Sequence, residues 1–339
     1  MKDLRIADRP IGRGHPPYVI AEIGINHNGD PETAHRMIDA ATDAGADAVK
    51  LQTFRTESFL SRASAYFDVL RAAELPREAL ASLVRHAGER GTILFSAVFD
   101  EESADIWEQL NAPAYKIASG DLTHRPLIGH VAKFGKPMII STGGATMPEI
   151  GRALESVTNS NPQTSCALLH CVSNYPTRPA AANLACMSTM RGEFGVPVGF
   201  SDHTVGLSVP IAAAALGAEL IEKHFTLDRE QHGPDHKLSA DPAQLKAMIS
   251  DVRDAWAAIG RPEKAPVEAP EFIPQIRRSV TAAVDIPAGT LLDRKMLAVK
   301  RPGTGLSPDM LESFVGRRAL RAIAADRQLR RDDVEGDNT

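Results

Sequence analysis

Two histidines end two consecutive apolar runs of the sequence. His203 directly follows "VGFSD" (198–202), and His224 directly follows "LIEK" (220–223). Imidazole nitrogens bind Mn, Fe, Co and Zn, and a pair of them leaves positions open for oxygen ligands. A lone histidine at such a place more often bonds a neighbouring backbone group, but two on adjacent strand ends would meet at one rim. The pair therefore predicts a divalent metal site.

Ammonium and hydroxyl groups stand at the ends of other apolar runs, at Lys50, Lys116, Ser119, Ser141 and Ser201. Two ammonium groups with several hydroxyls suit a phosphate or a carboxylate, because they form charge-assisted hydrogen bonds to its oxygens. The alternative is that both lysines extend into solvent, but apolar residues flank each of them. These residues predict an anion-binding cage.

Glu22 is the acid at these run ends that could activate a water molecule as a general base. A structural salt bridge to Lys50 on the next run is the alternative, and the sequence leaves both open. A Schiff-base aldolase that uses Lys50 or Lys116 is a second interpretation of the same residues, which borohydride trapping with pyruvate would detect. A non-catalytic binding protein is a third, and the dense polar rim argues against it.

Eight apolar runs position these residues, and each is continuous rather than alternating, as strands buried on both faces should be. The runs begin at residues 18, 47, 92, 114, 137, 166, 197 and 219. Between them lie helix signals such as Asp30 for an N-cap, Pro31 for the first turn and Gly45 for the stop, and the scheme recurs after Asp241. Eight strand–helix units favour an α/β fold of the (β/α)8 TIM-barrel type over a doubly wound open sheet.

Active sites of such barrels lie at the carboxyl ends of the strands. Polar side chains occupy these ends here, namely Glu22, Lys50, Gln52, Ser96, Lys116, Ser119, Ser141, His170, Ser201, Asp202, His203, Lys223 and His224. We expect all of them to converge on one pocket.

The domain organisation follows from a change in composition near residue 260. The predicted barrel spans residues 1–262, and a proline- and acid-rich stretch predicts a linker over 263–278. Residues 279–339 combine short strands with turns such as "RPGTG" and predict a small β-rich domain.

Bulk properties exclude several classes of function. The net charge is −5 and the pI near 6.1, so no basic field attracts nucleic acid. The basic stretch 317–331 is expected to be a solvent-exposed surface.

No run approaches the ~18 apolar residues of a membrane helix, and the first seventeen residues lack the apolar core of a signal peptide. Three cysteines without metal spacing predict a reducing, cytoplasmic location.

Nine stretches, taken in order, resemble the sialic acid synthase family, also called nonulosonate synthases. They span residues 19–305 and read "AEIGINHNG", "DAVKLQT", "PAYKIASGD", "GKPMIISTGG", "LLHCVSNYPT", "VGFSDHT", "IEKHFTLDR", "GPDH" and "VKRPGTG". The resemblance implies a TIM barrel followed by a small antifreeze-like (SAF) domain. It also implies a metal-dependent condensation of phosphoenolpyruvate with a 2-acetamido sugar and water, which gives a nonulosonic acid and phosphate.

The same resemblance implies roles for residues at matching positions. Metal binding is implied for His203 and His224. Mn²⁺ is the expected ion, and Mg²⁺ or Co²⁺ are the alternatives. Phosphoenolpyruvate binding is implied for Lys50, Gln52, Lys116, Ser119, Ser141 and Ser201. Catalytic roles are implied for Glu22, which helps water attack C2 of phosphoenolpyruvate, Asp121 and Tyr175. Sugar contacts are implied for Asn174, Tyr175, Asp235 and Arg301.

Arg301 carries a further implication about assembly. In the family, the matching arginine reaches from the small domain of one subunit into the barrel of the other, which implies a domain-exchanged homodimer. Neither nucleic acid nor a membrane is expected as a partner.

Three departures from the family pattern concern the substrate site. Ala97 in "FSAVF" replaces a common threonine, so Ser96 or a backbone group would have to supply the lost hydrogen bond. Asp121 stands where glutamate is common in the bacterial sialic acid branch. The stretch 54–76 aligns with no motif and is expected to select the sugar.

The acceptor sugar stays open at this point. N-acetylmannosamine is the default, and a 2,4-diacetamido-trideoxy sugar, giving legionaminic or pseudaminic acid, is the alternative. In "IEKHFTLDREQHGPDH" (221–236), His232 and His236 match no catalytic residue and are expected to be ordinary loop residues.

Overall fold

Eight parallel strands close into a barrel in a computed structural model of the chain, which describes residues 4–336. All eight predicted strands are present, so the barrel is confirmed and the open sheet is wrong. The strands of the described chain are β1 (Leu4–Ile6), β2 (Arg9–Ile11), β3 (Tyr18–Gly24), β4 (Ala48–Thr53), β5 (Ile93–Val98), β6 (Tyr115–Ile117), β7 (Met138–Ser141), β8 (Cys166–Cys171), β9 (Val198–Asp202), β10 (Leu220–His224), β11 (Ser279–Ala282) and β12 (Leu297–Lys300). The barrel consists of β3–β10, with β10 pairing with β3 to close it.

Helices lie between the barrel strands and beyond the last of them. They are α1 (Pro31–Asp43), α2 (Thr56–Phe59), α3 (Phe67–Ala73), α4 (Arg77–Glu89), α5 (Glu101–Gln109), α6 (Arg125–Ala132), α7 (Met147–Ser160), α8 (Cys186–Phe194), α9 (Ser208–Ala215), α10 (Pro242–Ile259) and α11 (Ile273–Ile276). Within the described part of the chain, no helix combines the length and the apolar character that crossing a membrane requires.

Alternation along each strand sorts its side chains between two cores. In β3, Val19, Ala21 and Ile23 pack outward against the helices. Tyr18 and Ile20 point inward and join a cluster at the amino ends of the strands. Glu22 lies two residues after Ile20, so its side chain points to the same, inner face of the strand.

A hairpin that the sequence reasoning missed lies before the barrel. Strands β1 and β2 pair antiparallel, and their side chains Leu4, Ile6 and Ile11 are buried in the inner cluster with Tyr18 and Leu220. The hairpin is therefore the apolar floor of the barrel at the end opposite the carboxyl ends of the strands.

Helix α10 begins at a capping box. The Asp241 carboxylate accepts a hydrogen bond from Gln244 N at 2.8 Å, and the Gln244 side chain accepts one from Asp241 N at 3.3 Å. We expect Asp241→Ala to lower the free energy of unfolding by about 1 kcal/mol, because Gln244 N loses its hydrogen-bond acceptor. Chemical denaturation measures the change. Asp254→Ala, at an exposed position of the same helix, is the control, and an equal loss in both variants would contradict the capping role.

The chain divides into two units after Gly260. In the second unit, β11 and β12 pair antiparallel, and a separate core forms around Val280, Leu297 and Phe314. Helix α11 lies within the predicted linker 263–278. The first three residues of the predicted barrel domain and the last three of the predicted small domain lie outside the described residues.

Candidate active site

A cavity of about 590 Å³ opens at the carboxyl ends of the barrel strands. This volume lies in the range of sites for small molecules. Its wall includes most of the residues that the sequence singled out, namely Glu22, Lys50, Gln52, Lys116, Ser119, Ser141, Tyr175, Ser201, His203, His224 and Asp235. The structure thus brings the predicted metal pair, the anion cage and the general base into one space.

Four residues expected in the pocket lie on the other face of the sheet, so that part of the prediction is wrong. They are Ser96, His170, Asp202 and Lys223. Each stands an even number of positions from a residue of its strand that points outward, so its side chain points outward as well. Lys223 Nζ donates to Asp202 Oδ2 at 2.6 Å, and His170 Nε2 donates to Ala182 O at 2.8 Å. These groups stabilise the barrel wall behind the cavity.

Ser96 cannot replace the hydroxyl that Ala97 lacks. Its Oγ lies 2.8 Å from Thr53 Oγ1 and 2.8 Å from Ala97 O, on the helix side of β5. Ala97 itself lines the cavity and packs in an apolar cluster with Phe54 and Phe99. At β5 the cavity wall is therefore apolar.

Four buried charges form the inner wall of the cavity. Lys50 Nζ lies 2.5 Å from Glu22 Oε2 and 3.7 Å from Glu222 Oε2, and Lys116 Nζ lies 3.8 Å from Glu222 Oε1. Lys50 and Lys116 are each only 3% exposed, so neither extends into solvent. Sequence reasoning missed Glu222. It stands two residues from both Leu220 and His224, so its side chain points into the barrel with theirs. Glu22 does form the salt bridge to Lys50, and it faces the cavity as well.

Burial and mutual attraction shift the pKa values of these groups in different directions. Burial raises the pKa of Glu22 to about 7, against the opposing pull of Lys50. Burial also disfavours charge on Lys50, but Glu22 and Glu222 outweigh it and raise the pKa of Lys50. At Lys116 burial prevails over Glu222, so the pKa is lowered. A carboxyl group that titrates near 7 can act as a general base at neutral pH.

Hydroxyl groups surround the two lysines. Ser201 Oγ donates to Glu222 Oε1 at 2.8 Å, and Ser119 Oγ accepts from Gly143 N at 3.0 Å. Ser141 Oγ is buried without a hydrogen-bond partner among residues 4–336. A Cβ at Gly143 would lie 2.9 Å from Ser119 Oγ, so a glycine keeps this side of the cavity open. A buried hydroxyl without a partner beside two ammonium groups fits a site for an anionic ligand.

The two histidines fit a shared metal ion. Their ring centroids are 5.4 Å apart, which lets one nitrogen of each ring reach an ion at about 2.1 Å. His203 Nδ1 donates to Val172 O at 2.7 Å, so Nε2 is the nitrogen that could face an ion. Burial disfavours charge on His203, but its hydrogen bond to Cys171 outweighs burial and raises the pKa of the ring. A metal ion at this nitrogen would therefore displace that bond and a proton. His224 Nδ1 is buried without a hydrogen-bond partner in the described chain. Burial, with His203 next in effect, holds the pKa of His224 well below its usual value, so the ring is neutral as a ligand must be.

The described residues form no complete metal cage around the two histidines. Among residues 4–336, no set of three or more His, Cys, Asp or Glu side chains is arranged to hold an ion. Asp235 Oδ2 is 3.7 Å from His224 Nδ1, and the Tyr175 ring stacks on His203 at 4.2 Å. Two imidazoles therefore leave coordination positions to oxygen atoms of substrate or water.

Three predicted site residues are not on the cavity wall. Asn174 is exposed in the loop after β8, and Asp121 follows the lining residue Gly120, with burial raising the pKa of its carboxyl to about 6. Arg301 is exposed in the second unit. Their roles stay predictions.

His236 is not an ordinary loop residue. Its side chain is fully buried, and Nδ1 lies 2.8 Å from Thr226 Oγ1. A Cβ at Gly233 would lie 2.6 Å from its ring. His236 therefore anchors the loop that carries Asp235 back to the cavity.

Comparison with known proteins gives matches over most of the chain. The NeuB family profile matches residues 37–264, and the SAF domain profile matches residues 277–335. An uncharacterised protein of Methanocaldococcus jannaschii is 40% identical over 99% of this chain and 100% of its own length. The N,N'-diacetyllegionaminic acid synthase of Legionella pneumophila is 36% identical over 96% of this chain and 97% of its own.

A solved structure agrees with these matches. The N-acetylneuraminic acid synthetase of Leptospira borgpetersenii, crystallised with citrate, superposes with a TM-score of 0.76 at 32% identity. The superposition covers 80% of this chain and 94% of the other.

Proposed function

Since the chain belongs to the NeuB family, we propose that it condenses phosphoenolpyruvate with a 2-acetamido sugar and water to give a nonulosonic acid and phosphate. The observation that carries the proposal is the placement of two buried lysines, Lys50 and Lys116, in the same cavity as the His203–His224 pair. The names of relatives that make legionaminic and N-acetylneuraminic acids support the class of product.

The anionic substrate lies against the inner wall. Lys50, Lys116 and the hydroxyls of Ser119, Ser141 and Ser201 bind the phosphate and carboxylate oxygens of phosphoenolpyruvate. The open sugar aldehyde lies beside His203 and His224, between Tyr175 and Asp235. A divalent ion, with Mn²⁺ as the expected one, would be held by the two histidines and would polarise the aldehyde oxygen.

The reaction forms one carbon–carbon bond and, from water, one carbon–oxygen bond, and it breaks the bond between C2 and the bridging oxygen of the phosphate. C3 of phosphoenolpyruvate attacks the aldehyde carbon, which becomes an alcohol, and positive charge develops at C2. Water adds to C2 while Glu22 accepts its proton, which the raised pKa of about 7 allows. Phosphate then leaves C2 with its bridging oxygen while the hydroxyl on C2 loses its proton, and C2 becomes the ketone of the product. The two protons of the water thus end on the new alcohol oxygen and on the released phosphate.

Phosphate release from phosphoenolpyruvate, measured against a panel of 2-acetamido sugars, tests the proposal. Mass spectrometry of the products should show a nine-carbon acid for each sugar that stimulates release. Phosphate release that is independent of every sugar would contradict the proposal.

A Schiff-base aldolase is the second candidate, because burial lowers the pKa of Lys116 and so favours a nucleophilic amine. Borohydride reduction in the presence of pyruvate would then attach the substrate to Lys116. The synthase predicts no such adduct.

Lys116→Ala is expected to raise the KM for phosphoenolpyruvate by about 10- to 150-fold, since a hydrogen bond to a charged group contributes about 1.5–3 kcal/mol. The KM for the sugar should change far less. Steady-state kinetics with each substrate varied in turn measures both constants. Lys133→Ala, at an exposed lysine after α6, is the control, and equal effects on both KM values would remove Lys116 from the anion site.

A further inference from the structure

The turn after β3 contains a buried amide that the reaction described above does not use. Asn26 lies in the stretch "GINHNG" (24–29) and is 1% exposed. It does not line the cavity, although its neighbour Ile25 does. Its Nδ2 donates to Phe225 O and to Ser239 Oγ, each at 2.9 Å. The side chain therefore ties the turn after β3 to two points of the segment after β10, where these two strands close the barrel.

A second hydrogen bond continues from Ser239 to the candidate active site. Ser239 Oγ donates to Asp235 O at 2.6 Å, and Ser239 N donates to the same carbonyl oxygen at 3.1 Å. The side chain of Asp235 lines the cavity, and its Oδ2 lies 3.7 Å from His224 Nδ1. Asn26 thus fixes the Ser239 hydroxyl, and this hydroxyl fixes the backbone from which the Asp235 carboxylate extends.

A primary amide suits the two contacts of Asn26. Its Nδ2 has two protons, one for each acceptor, whereas a hydroxyl group has only one. The other half of the amide contributes no such contact, because Asn26 Oδ1 is buried without a hydrogen-bond partner within residues 4–336. A buried oxygen without a partner lowers stability. The two donor contacts are therefore what this side chain supplies to the structure.

On the basis of the proposed function, we propose that Asn26 is a positioning residue for the sugar end of the site. Its amide holds the loop after β10 so that the Asp235 carboxylate keeps its place in the cavity. Asn26 acts through Ser239 and Asp235 rather than by contact with substrate. The anion site lies on other strands, at Lys50 of β4 and Lys116 of β6. Loss of the amide should therefore affect the sugar far more than phosphoenolpyruvate.

Asn26→Leu removes both donors while it keeps a side chain of similar size. With the 2-acetamido sugar that stimulates phosphate release most, kcat/KM for the sugar should fall about 10-fold or more, because a displacement of about 1 Å can cost about 100-fold. The KM for phosphoenolpyruvate should change less than about 2-fold. Equal effects on both substrates would overturn the positioning role.

Ser239→Ala interrupts the same connection at its second hydrogen bond, and it decides the question if Asn26→Leu does not fold. It should lower kcat/KM for the sugar about 3-fold or more, a smaller loss because Ser239 N still binds Asp235 O. The matched control is Ser156→Ala on α7. Its buried hydroxyl also donates to the carbonyl oxygen four residues earlier, Arg152 O at 2.9 Å. This control should keep the wild-type kcat/KM for both substrates, and a loss for the sugar equal to that of Ser239→Ala would overturn the role.

A double-mutant cycle distinguishes positioning of Asp235 from a general loss of structure. Asp235→Ala removes the carboxylate that Asn26 holds in place, so adding Asn26→Leu should cause no further loss of kcat/KM for the sugar. Two losses that add in full would show that Asn26 acts on something other than Asp235, and would overturn the proposal.

Crystal structures of Asn26→Leu and Ser239→Ala test the proposal without turnover. The distance of 3.7 Å between Asp235 Oδ2 and His224 Nδ1 should increase by about 1 Å or more in Asn26→Leu. If no sugar stimulates phosphate release from the wild type, the proposed function fails, and this distance alone decides the role of Asn26. An Asp235 carboxylate that stays in place in both variants would overturn that role.

Discussion

Exhaustive chelation is expected to abolish phosphate release, and Mn²⁺ is expected to restore it. The reason is the geometry of His203 and His224, whose rings are 5.4 Å apart and whose Nδ1 atoms differ in their bonding. Without an ion, Lys50 and Lys116 stay paired with Glu22 and Glu222 and bind the anionic substrate rather than the aldehyde oxygen. The loss should be at least about 100-fold, in line with what an electrostatic stabiliser contributes.

His224→Ala should reproduce this loss and should also lower Mn²⁺ binding, measured by electron paramagnetic resonance without substrate. The side chain faces the cavity, so circular dichroism should show a folded barrel. His15→Ala, at a histidine before β3 and away from the cavity, is the control and should keep both properties. Full turnover by the metal-free protein would contradict the role of the ion.

Mixing full-length Glu22→Ala with full-length Arg301→Ala should regenerate activity from two inactive proteins. We propose that the enzyme is a homodimer in which Arg301 of one subunit completes the site of the other. Arg301 is exposed and has no hydrogen-bond or ion-pair partner within residues 4–336. Its turn is held by Ser279, whose Oγ donates to Pro302 O at 2.9 Å and accepts from Gly305 N at 2.8 Å. A planar guanidinium on a fixed turn suits a sugar amide or a pair of hydroxyls.

The expected recovery follows from counting sites. Random exchange makes half of the dimers mixed, and one of the two sites in each mixed dimer has both residues, so about a quarter of the wild-type activity returns. Mixing Glu22→Ala with Lys50→Ala is the matched control. Both residues belong to one barrel, since Lys50 Nζ lies 2.5 Å from Glu22 Oε2, so no mixed dimer has an intact site. Confirmed subunit exchange with no recovery in the first mixture would refute shared sites.

Local sequence determined the elements of the barrel. Asp30 caps α1 as expected, with its carboxylate accepting from Glu32 N and Thr33 N, and Asp241 caps α10. The apolar runs became the eight strands because parallel strands are covered on both faces and need few polar residues.

The alternation of side chains along a strand also determined which strand-end residues face inward. Glu222 stands two residues before His224, so the sequence alone is sufficient to place both on the inner face of β10. Ser96 stands next to Ala97, so the two must lie on opposite faces of β5, and Ala97 lines the cavity. The convergence expected of all the polar strand ends was wrong at Ser96 because it ignored this alternation.

Tertiary structure decided what surrounds the inward residues. The pairing of Glu222 with Lys50 and Lys116 depends on barrel closure between β10 and β3, which no local pattern specifies. The stacking of Tyr175 on His203 joins two loops, and a second cavity forms where Val69 and Ala72 of α3 meet Pro234 of the loop after β10. Loop conformation depends on long-range packing rather than on periodicity. The sequence alone therefore determined which charged residues face the inside of the barrel, and only the fold placed the loop residues Tyr175 and Asp235 beside the two histidines.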